Sequence, residues 1–314
     1  MKRLKRFLYT FISGGLLTAL ALWYVISDCM VEALLSKDKS IAVASYTSIA
    51  AEAASLIENS ERWEFTAQDS VRLAAAVCRQ EKDSRLWAII IHGYSSCKED
   101  MNAYLKAYYL RGYNVLLPDL RCHGESGGEL TGMGWIDRLD IIGWTHKILK
   151  EDSNAEVVLH GVSMGAATAL MSSGEKLSNN VKAIISDCAF TGVWDVFQWQ
   201  ISKNFLKHNA ALLYGGSLVT YLKAGYSWQE ASALNQVKKS RTPTLFIHGS
   251  ADPVVPVSMA YELYNAASCK KKLMIVEGAK HAGCLNTDRD KYWLEVFDFI
   301  NEELEDSKKA QASA

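Results

Sequence analysis

No Cys-X-X-Cys pair, no long basic run, no internal repeat and no low-complexity linker occurs in the 314 residues. Each absence removes a class of function. Without paired cysteines, or histidines beside them at metal-ligand spacing, no zinc site or redox dithiol is suggested. The seven cysteines, at 29, 78, 97, 122, 188, 269 and 284, are odd in number and dispersed. That is the pattern of reduced core thiols rather than of a disulfide framework. With a formal net charge of -1, and Lys270-Lys271-Lys272 reading as a solvated turn, there is no electrostatic footprint for nucleic acid.

Charge is also missing from residues 7–27, directly after Lys2, Arg3, Lys5 and Arg6. An apolar stretch of roughly 20 residues crosses a bilayer as a helix. Ala19-Leu20-Ala21 resembles a signal-peptide cleavage site, but residues 22–26 carry the apolar run beyond the usual core of about 7–15 residues. An uncleaved, single-pass membrane anchor over residues 1–34 is therefore expected, followed by an alanine-rich helical stalk over 35–60. The cations before the span put the amino terminus in the cytoplasm and the folded domain on the extracytoplasmic side. The unpaired cysteines pull the other way, toward a reducing compartment.

What is present from residue 61 onward is a rhythm of short apolar runs and helix-length segments. A hairpin pattern around residues 63–77 is followed by runs at 86–91, 114–117, 156–159, 181–185, 244–247 and 273–276. Unalternating runs of this length are strands covered on both faces, so the fold class is α/β with a mostly parallel, doubly wound sheet. The domain is expected to span residues 61–308, with a disordered tail at 309–314. About 55 residues between the fourth and fifth runs exceed what a crossover needs. Rich in aromatics, including Trp194, Phe197, Trp199, Phe205, Tyr214, Tyr221, Tyr226 and Trp228, they suggest an inserted helical cap over about 189–240.

Gly161-Val162-Ser163-Met164-Gly165 lies between a strand run and the helix-forming Ala166-Ala167-Thr168-Ala169-Leu170. A serine on a strained strand-to-helix turn needs small residues two positions to either side, and the turn displays its hydroxyl over the sheet's carboxyl edge. Ser163 is thus the candidate nucleophile. A hydroxyl needs a base, and the base needs an orienting acid. His281, in the loop after the last strand run, is the candidate base, with His123 as runner-up. Asp252, just past the run at 244–247, is the candidate acid, with Asp187 its competitor and Asp119 a loop-bracing carboxylate. The amides of Met164 and of Tyr94, after Gly93, are the candidate oxyanion donors.

Over residues 63–304 these pieces resemble the α/β-hydrolase superfamily, within it the serine hydrolases grouped with Bem46-like proteins, cinnamoyl ester hydrolases and monoacylglycerol-lipase-like enzymes. The blocks that carry the resemblance are Ile91-His92-Gly93-Tyr94, Pro118-Asp119-Leu120-Arg121-Cys122-His123-Gly124-Glu125-Ser126, the Ser163 pentapeptide, His248-Gly249-Ser250-Ala251-Asp252-Pro253, and His281. The resemblance implies a Ser163, Asp252, His281 triad with Tyr94 and Met164 as oxyanion donors, and no metal or organic cofactor. It implies a carboxylesterase-like serine hydrolase, and the aromatic cap suggests apolar acyl or aryl esters as substrates; a peptidase or amidase, or a non-catalytic membrane-anchored binding protein, are the alternatives. Cys122 departs from relatives that carry glycine or alanine before His-Gly. Because none of these groups lies in residues 1–34, deleting that segment is expected to release a soluble, active enzyme.

Overall fold

The computed structural model describes residues 2–37, 55–204 and 210–312. Most of the expected stalk, 38–54, and Phe205 of the expected cap lie outside the described residues. In chain order the elements are α1 (Lys2–Leu35), β1 (Glu61–Thr66), β2 (Arg72–Cys78), β3 (Leu86–Ile91), α2 (Asn102–Tyr109), β4 (Asn114–Pro118), α3 (Asp137–Glu151), β5 (Glu156–Val162) and α4 (Met164–Ser173). They continue as β6 (Val181–Asp187), α5 (Val193–Asn204), α6 (Ala210–Ala224), α7 (Ala233–Val237), β7 (Thr244–Gly249), α8 (Val257–Ala266), β8 (Lys271–Val276), α9 (Cys284–Thr287) and α10 (Arg289–Ala312).

The strands form an 8-stranded sheet in the order β1-β2-β4-β3-β5-β6-β7-β8. The hairpin β1-β2 lies antiparallel at one edge, and from β4 to β8 the pairing is parallel. This is the mostly parallel sheet with an antiparallel hairpin at its edge that the apolar runs predict. Side chains alternate across a strand, so a run buried on both faces feeds two cores. In β3, Ile89 and Ile91 join Leu116, Leu159, Ile141 and Leu170 on one face. Ala88 and Ile90 join Leu117, Val158, Ile185, Tyr108 and Ile300 on the other. Strands β5, β6 and β7 run past their apolar stretches into Gly161-Val162, Ser186-Asp187 and His248-Gly249. Those extra residues pair in register and bring polar groups to the carboxyl edge.

Helices α5, α6 and α7 fall within residues 189–240. Helix α5 leans over the carboxyl edge: Gln200 Nε2 donates to the Val254 carbonyl and Lys203 Nζ to that of Pro253. Of the cap aromatics, Tyr226 and Trp228 are buried packing residues, whereas Trp199, Tyr214 and Tyr221 are exposed. Phe197 and Trp228 pack with ring centroids 4.5 Å apart. At the other end, α10 runs to Ala312, so the first residues of the expected tail are helical.

Helix α1 departs most from expectation. It continues past the apolar span to Leu35, and its last turns are built into the domain. Val31 and Leu35 are fully buried. The Leu35 carbonyl accepts from Thr131 N at 2.8 Å and Thr131 Oγ1 at 3.0 Å, and Ser36 bridges to Leu130. The Tyr94 hydroxyl donates to the Leu34 carbonyl, and Lys37 Nζ donates to that of Ser126 at 2.9 Å. Residues 31–37 therefore brace the two loops at 94–96 and 121–131, and of the expected anchor, 1–34, Val31 and Leu34 take part.

Removing residues 1–22 should leave the folded domain intact, whereas removing 1–36 also deletes Val31 and Leu35 and uncovers the core beneath them. The second truncation should lose about 3 kcal/mol or more of stability, from two buried aliphatics at about 1.5–3 kcal/mol each. Thermal unfolding of both truncations in the same detergent checks this; equal melting temperatures would show that the last turns of α1 contribute nothing.

Candidate active site

The site begins with a packing constraint. The turn from β5 into α4 lies so close to β3 that a Cβ on Gly165 would come 2.1 Å from the Ile91 carbonyl oxygen. A Cβ on Gly161 would come 2.2 Å from the Gly165 carbonyl oxygen. Only glycine fits either position. Between them Ser163 takes φ 57° and ψ -117°, a left-handed conformation that a non-glycine residue adopts only when its surroundings enforce it. The Ser163 amide donates to the Asp187 carbonyl at 2.8 Å, which fixes the turn to the end of β6.

The hydroxyl this turn displays meets an imidazole. Ser163 Oγ lies 2.7 Å from His281 Nε2, and His281 Nδ1 lies 2.7 Å from Asp252 Oδ2. Ser163 comes from the β5–α4 turn, Asp252 from the loop after β7 and His281 from the loop between β8 and α9, so residues 118 positions apart converge on one hydrogen-bond chain. Asp252 is held on its other oxygen, where Oδ1 accepts from the amides of Val254 and Val255 at 2.8 and 2.9 Å. His248 lies 3.4 Å from Oδ2. Burial alone would raise the Asp252 carboxyl; the hydrogen bonds from His248 and His281 and the backbone amides outweigh it and hold the group well below the usual carboxylate range. Asp252 is therefore ionised opposite His281 throughout the neutral range.

The competing residues are brought elsewhere. His123 has both ring nitrogens engaged away from Ser163: Nε2 accepts from Ser95 N, in the loop after β3, at 3.2 Å, and Nδ1 lies 2.7 Å from the Arg121 carbonyl. His92 is likewise engaged, accepting from Leu120 N at 2.9 Å. His160 lies between the hydroxyls of Tyr108 and Tyr292 at 3.0 Å each. Asp187 accepts from the Tyr292 hydroxyl at 2.9 Å, and burial pushes its carboxyl up to about 6. Asp119 braces its loop, accepting from Lys98 Nζ at 2.7 Å and Glu125 N at 2.9 Å. Cys122, the departure from relatives, sits at φ 65° with its amide bonded to the Gly127 carbonyl at 2.9 Å.

Of the candidate oxyanion donors, Met164 opens α4, where a first-turn amide has no acceptor within its own helix. Tyr94 follows Gly93, whose added Cβ would lie 3.4 Å from Ser163 Cβ. Two neighbours were not expected. His248 reaches Asp252 across an i, i+4 spacing that is visible in the sequence. Cys188 has no sequence signal at all, yet its sulfur lies within 4.8 Å of ligand atoms of Asp252 and His281. Those three could in principle hold a metal, but both His281 nitrogens are engaged and burial pushes the Cys188 thiol well above its usual value.

Asp187 gives a measurable consequence. With its folded carboxyl at about 6 and an unfolded value near 3.9, the native state binds the extra proton between those limits. Its contribution to stability is therefore most favourable below about pH 4 and declines as pH rises to about 6. Asp187→Asn, which can still accept from Tyr292, should remove that decline. Urea unfolding of both proteins across this range checks it; identical pH dependence would show that Asp187 titrates normally.

Comparison with known proteins agrees with this architecture. The profile of the prolyl oligopeptidase family, Peptidase_S9, matches residues 101–307. The uncharacterized protein YqkD of Bacillus subtilis is 31% identical over 215 residues, covering 68% of this chain and 70% of that protein. The putative esterase YitV of the same organism is 28% identical over 191 residues, covering 56% and 72%. Among solved structures, the Pyrococcus furiosus esterase Pf2001 superposes with a TM-score of 0.62 at 22% identity, covering 78% of this chain and 92% of that one. The chain belongs to the prolyl oligopeptidase family and is a hydrolase of the α/β-hydrolase fold.

Proposed function

We propose that the protein is a membrane-anchored serine esterase, and the observation that carries this reading is the continuous chain Ser163 Oγ, His281 Nε2, His281 Nδ1, Asp252 Oδ2, with both links at 2.7 Å. Ser163 attacks the ester carbonyl as His281 Nε2 takes the hydroxyl proton, while Nδ1–H donates to the ionised Asp252 and stabilises the imidazolium that forms. The amides of Tyr94 and Met164 receive the developing oxyanion. Removing one such donor has cost roughly 3–4 kcal/mol where it was measured in another hydrolase. His281 then returns the proton to the leaving alcohol. Water, activated by the same imidazole, releases the carboxylic acid from the acyl-enzyme on Ser163.

Apolar acyl or aryl groups suit the aromatic cap, whose α5 leans over the loop that carries Asp252. The family's peptidase description supports a second reading, amide hydrolysis by the same groups. A fluorophosphonate should label Ser163, and Ser163→Ala should lose labelling and turnover while remaining folded. Asp252→Asn should cost up to roughly 10⁴ in kcat, by analogy with the loss of an orienting aspartate in another triad. Higher kcat/KM on aminoacyl amides than on any p-nitrophenyl ester would favour the peptidase reading; labelling at another residue would dismiss Ser163.

Residues 1–34 act as the anchor, with 61–308 as the hydrolase domain and about 189–240 as its cap. Support comes from Leu17–Leu35, a stretch of mean hydropathy 1.5 that is largely exposed. The cations before it place the domain on the extracytoplasmic side. Protease added to intact cells should digest the domain, and protection until permeabilisation would place it in the cytoplasm.

A further inference from the structure

Helix α6 is built inside out. From Ala210 to Leu222 it carries no charge, and its serine and threonine side chains point into the protein. Ser217 Oγ accepts from Trp228 N at 3.0 Å, and Thr220 Oγ1 accepts from Trp228 Nε1 at 2.9 Å; both residues are buried. The outward positions are Tyr214, Leu218, Tyr221 and Leu222, spaced as one helical face and 43–62% exposed. A helix facing water has the opposite polarity, whereas one facing lipid buries its hydrogen-bonding groups and presents hydrocarbon.

This face does not stand alone. Helix α1 packs alongside α6 through Gly215 and Gly216: a Cβ on Gly215 would come 2.0 Å from Ser27 Oγ, and one on Gly216 would come 2.4 Å from Met30 Cε. Trp23 Nε1 donates to the Ala211 carbonyl at 2.9 Å. Small residues at a close helix crossing are the usual packing solution within lipid. Leu17, Leu20, Leu22, Val25 and Ile26 of α1, in the turns before and at this crossing, are exposed. Charge appears after both apolar stretches, where Lys223 Nζ pairs with Asp28 at 2.6 Å and Glu32 at 2.7 Å.

We infer that the outer face of α6 is a bilayer contact, continuous with α1, so that the cap is held against lipid and the site takes amphiphilic acyl esters from the membrane. The position of the site follows from the same contacts. The last turn of α1 holds Tyr94 beside Ser163, and α6 meets α5, the helix over the Asp252 loop, through Trp194 and Tyr214 with ring centroids 4.8 Å apart. Both flanks of the site are thus fixed to the two lipid-facing helices. The substrate part rests on the esterase reading; the lipid contact rests on α1 as an anchor.

The full chain is reconstituted in phosphatidylcholine vesicles containing a phosphatidylcholine with a diazirine on its acyl chain, illuminated, and mapped by mass spectrometry. Label is expected on peptides covering residues 17–26 and 212–222, with the charged helix α10 unlabelled. Label on α1 without α6 overturns the proposal and leaves the anchor standing; label on neither overturns both. A second arm uses the double variant Leu218→Glu and Leu222→Glu at exposed positions. Turnover of a diacylglycerol-type ester dissolved in vesicles should fall about tenfold, a loss that weakened apolar insertion can supply. Turnover of a water-soluble short ester and fluorophosphonate labelling should stay within about twofold of wild type. An equal fall on both esters, or none on either, overturns delivery from the membrane. Absence of fluorophosphonate labelling in wild type would instead overturn the esterase reading and leave the lipid map to decide the surface.

Discussion

The contact of the β5–α4 turn with the end of β3 is the constraint on which the rest of the site depends. Backbone meets backbone there with no room for a Cβ at Gly161 or Gly165, so Ser163 is forced into a left-handed conformation and its hydroxyl stands clear of the sheet edge. Strain of this kind costs of order 1–3 kcal/mol and persists only when surrounding structure over-determines it. The over-determination is visible in the amide of Ser163 bonded to Asp187 and in the wholly buried α4 behind it. A larger residue at Gly165 would push the turn from β3, one at Gly161 would open the turn itself, and either would move Ser163 from His281.

Around this turn, charges are used to fix loops. Lys98 pairs with Asp119 although both are nearly dehydrated, and Asp119 also accepts the amides of Lys98 and Glu125. Arg121 grips Asp140 with two nitrogens and Asp69 with a third. Burial pushes the Asp140 carboxyl up to about 7 despite the guanidinium beside it. Breaking one partner of a buried pair leaves the other uncompensated, so these pairs resist change more than they add net stability. Their effect is to hold 119–131 rigid, the loop that receives the end of α1.

That junction ties the apolar N-terminal helix to the loops beside the candidate site. The Leu35 carbonyl accepts from Thr131 and that of Leu34 from the Tyr94 hydroxyl, so the helix that precedes the domain in sequence holds the residue next to Gly93 in place. The inverted polarity of α6 extends the arrangement across the cap. An α/β-hydrolase fold usually carries specificity in what is inserted over its carboxyl edge, because the sheet itself hosts many chemistries.

The six apolar runs determined the sheet, since only strands covered on both faces read as unbroken hydrophobic stretches, and β3 begins and ends where its run does. Glycines two residues either side of a serine determined the elbow, because close backbone approach is a local demand. Tertiary structure decided what local pattern cannot hold. Whether His281 or His123 meets Ser163 depends on loops whose ends are set by distant strands; His123 is consumed by Ser95 and Arg121, and His281 is not. The proximity of Cys188 to Asp252 arises only when β6 and β7 lie side by side. The sequence likewise marked α1 as apolar but could not say that its last turn is buried, because burial depends on Thr131 and Tyr94, residues about 60 to 96 positions away. Periodicity along the chain reports which faces are apolar; which face meets which partner is settled only by closure of the fold.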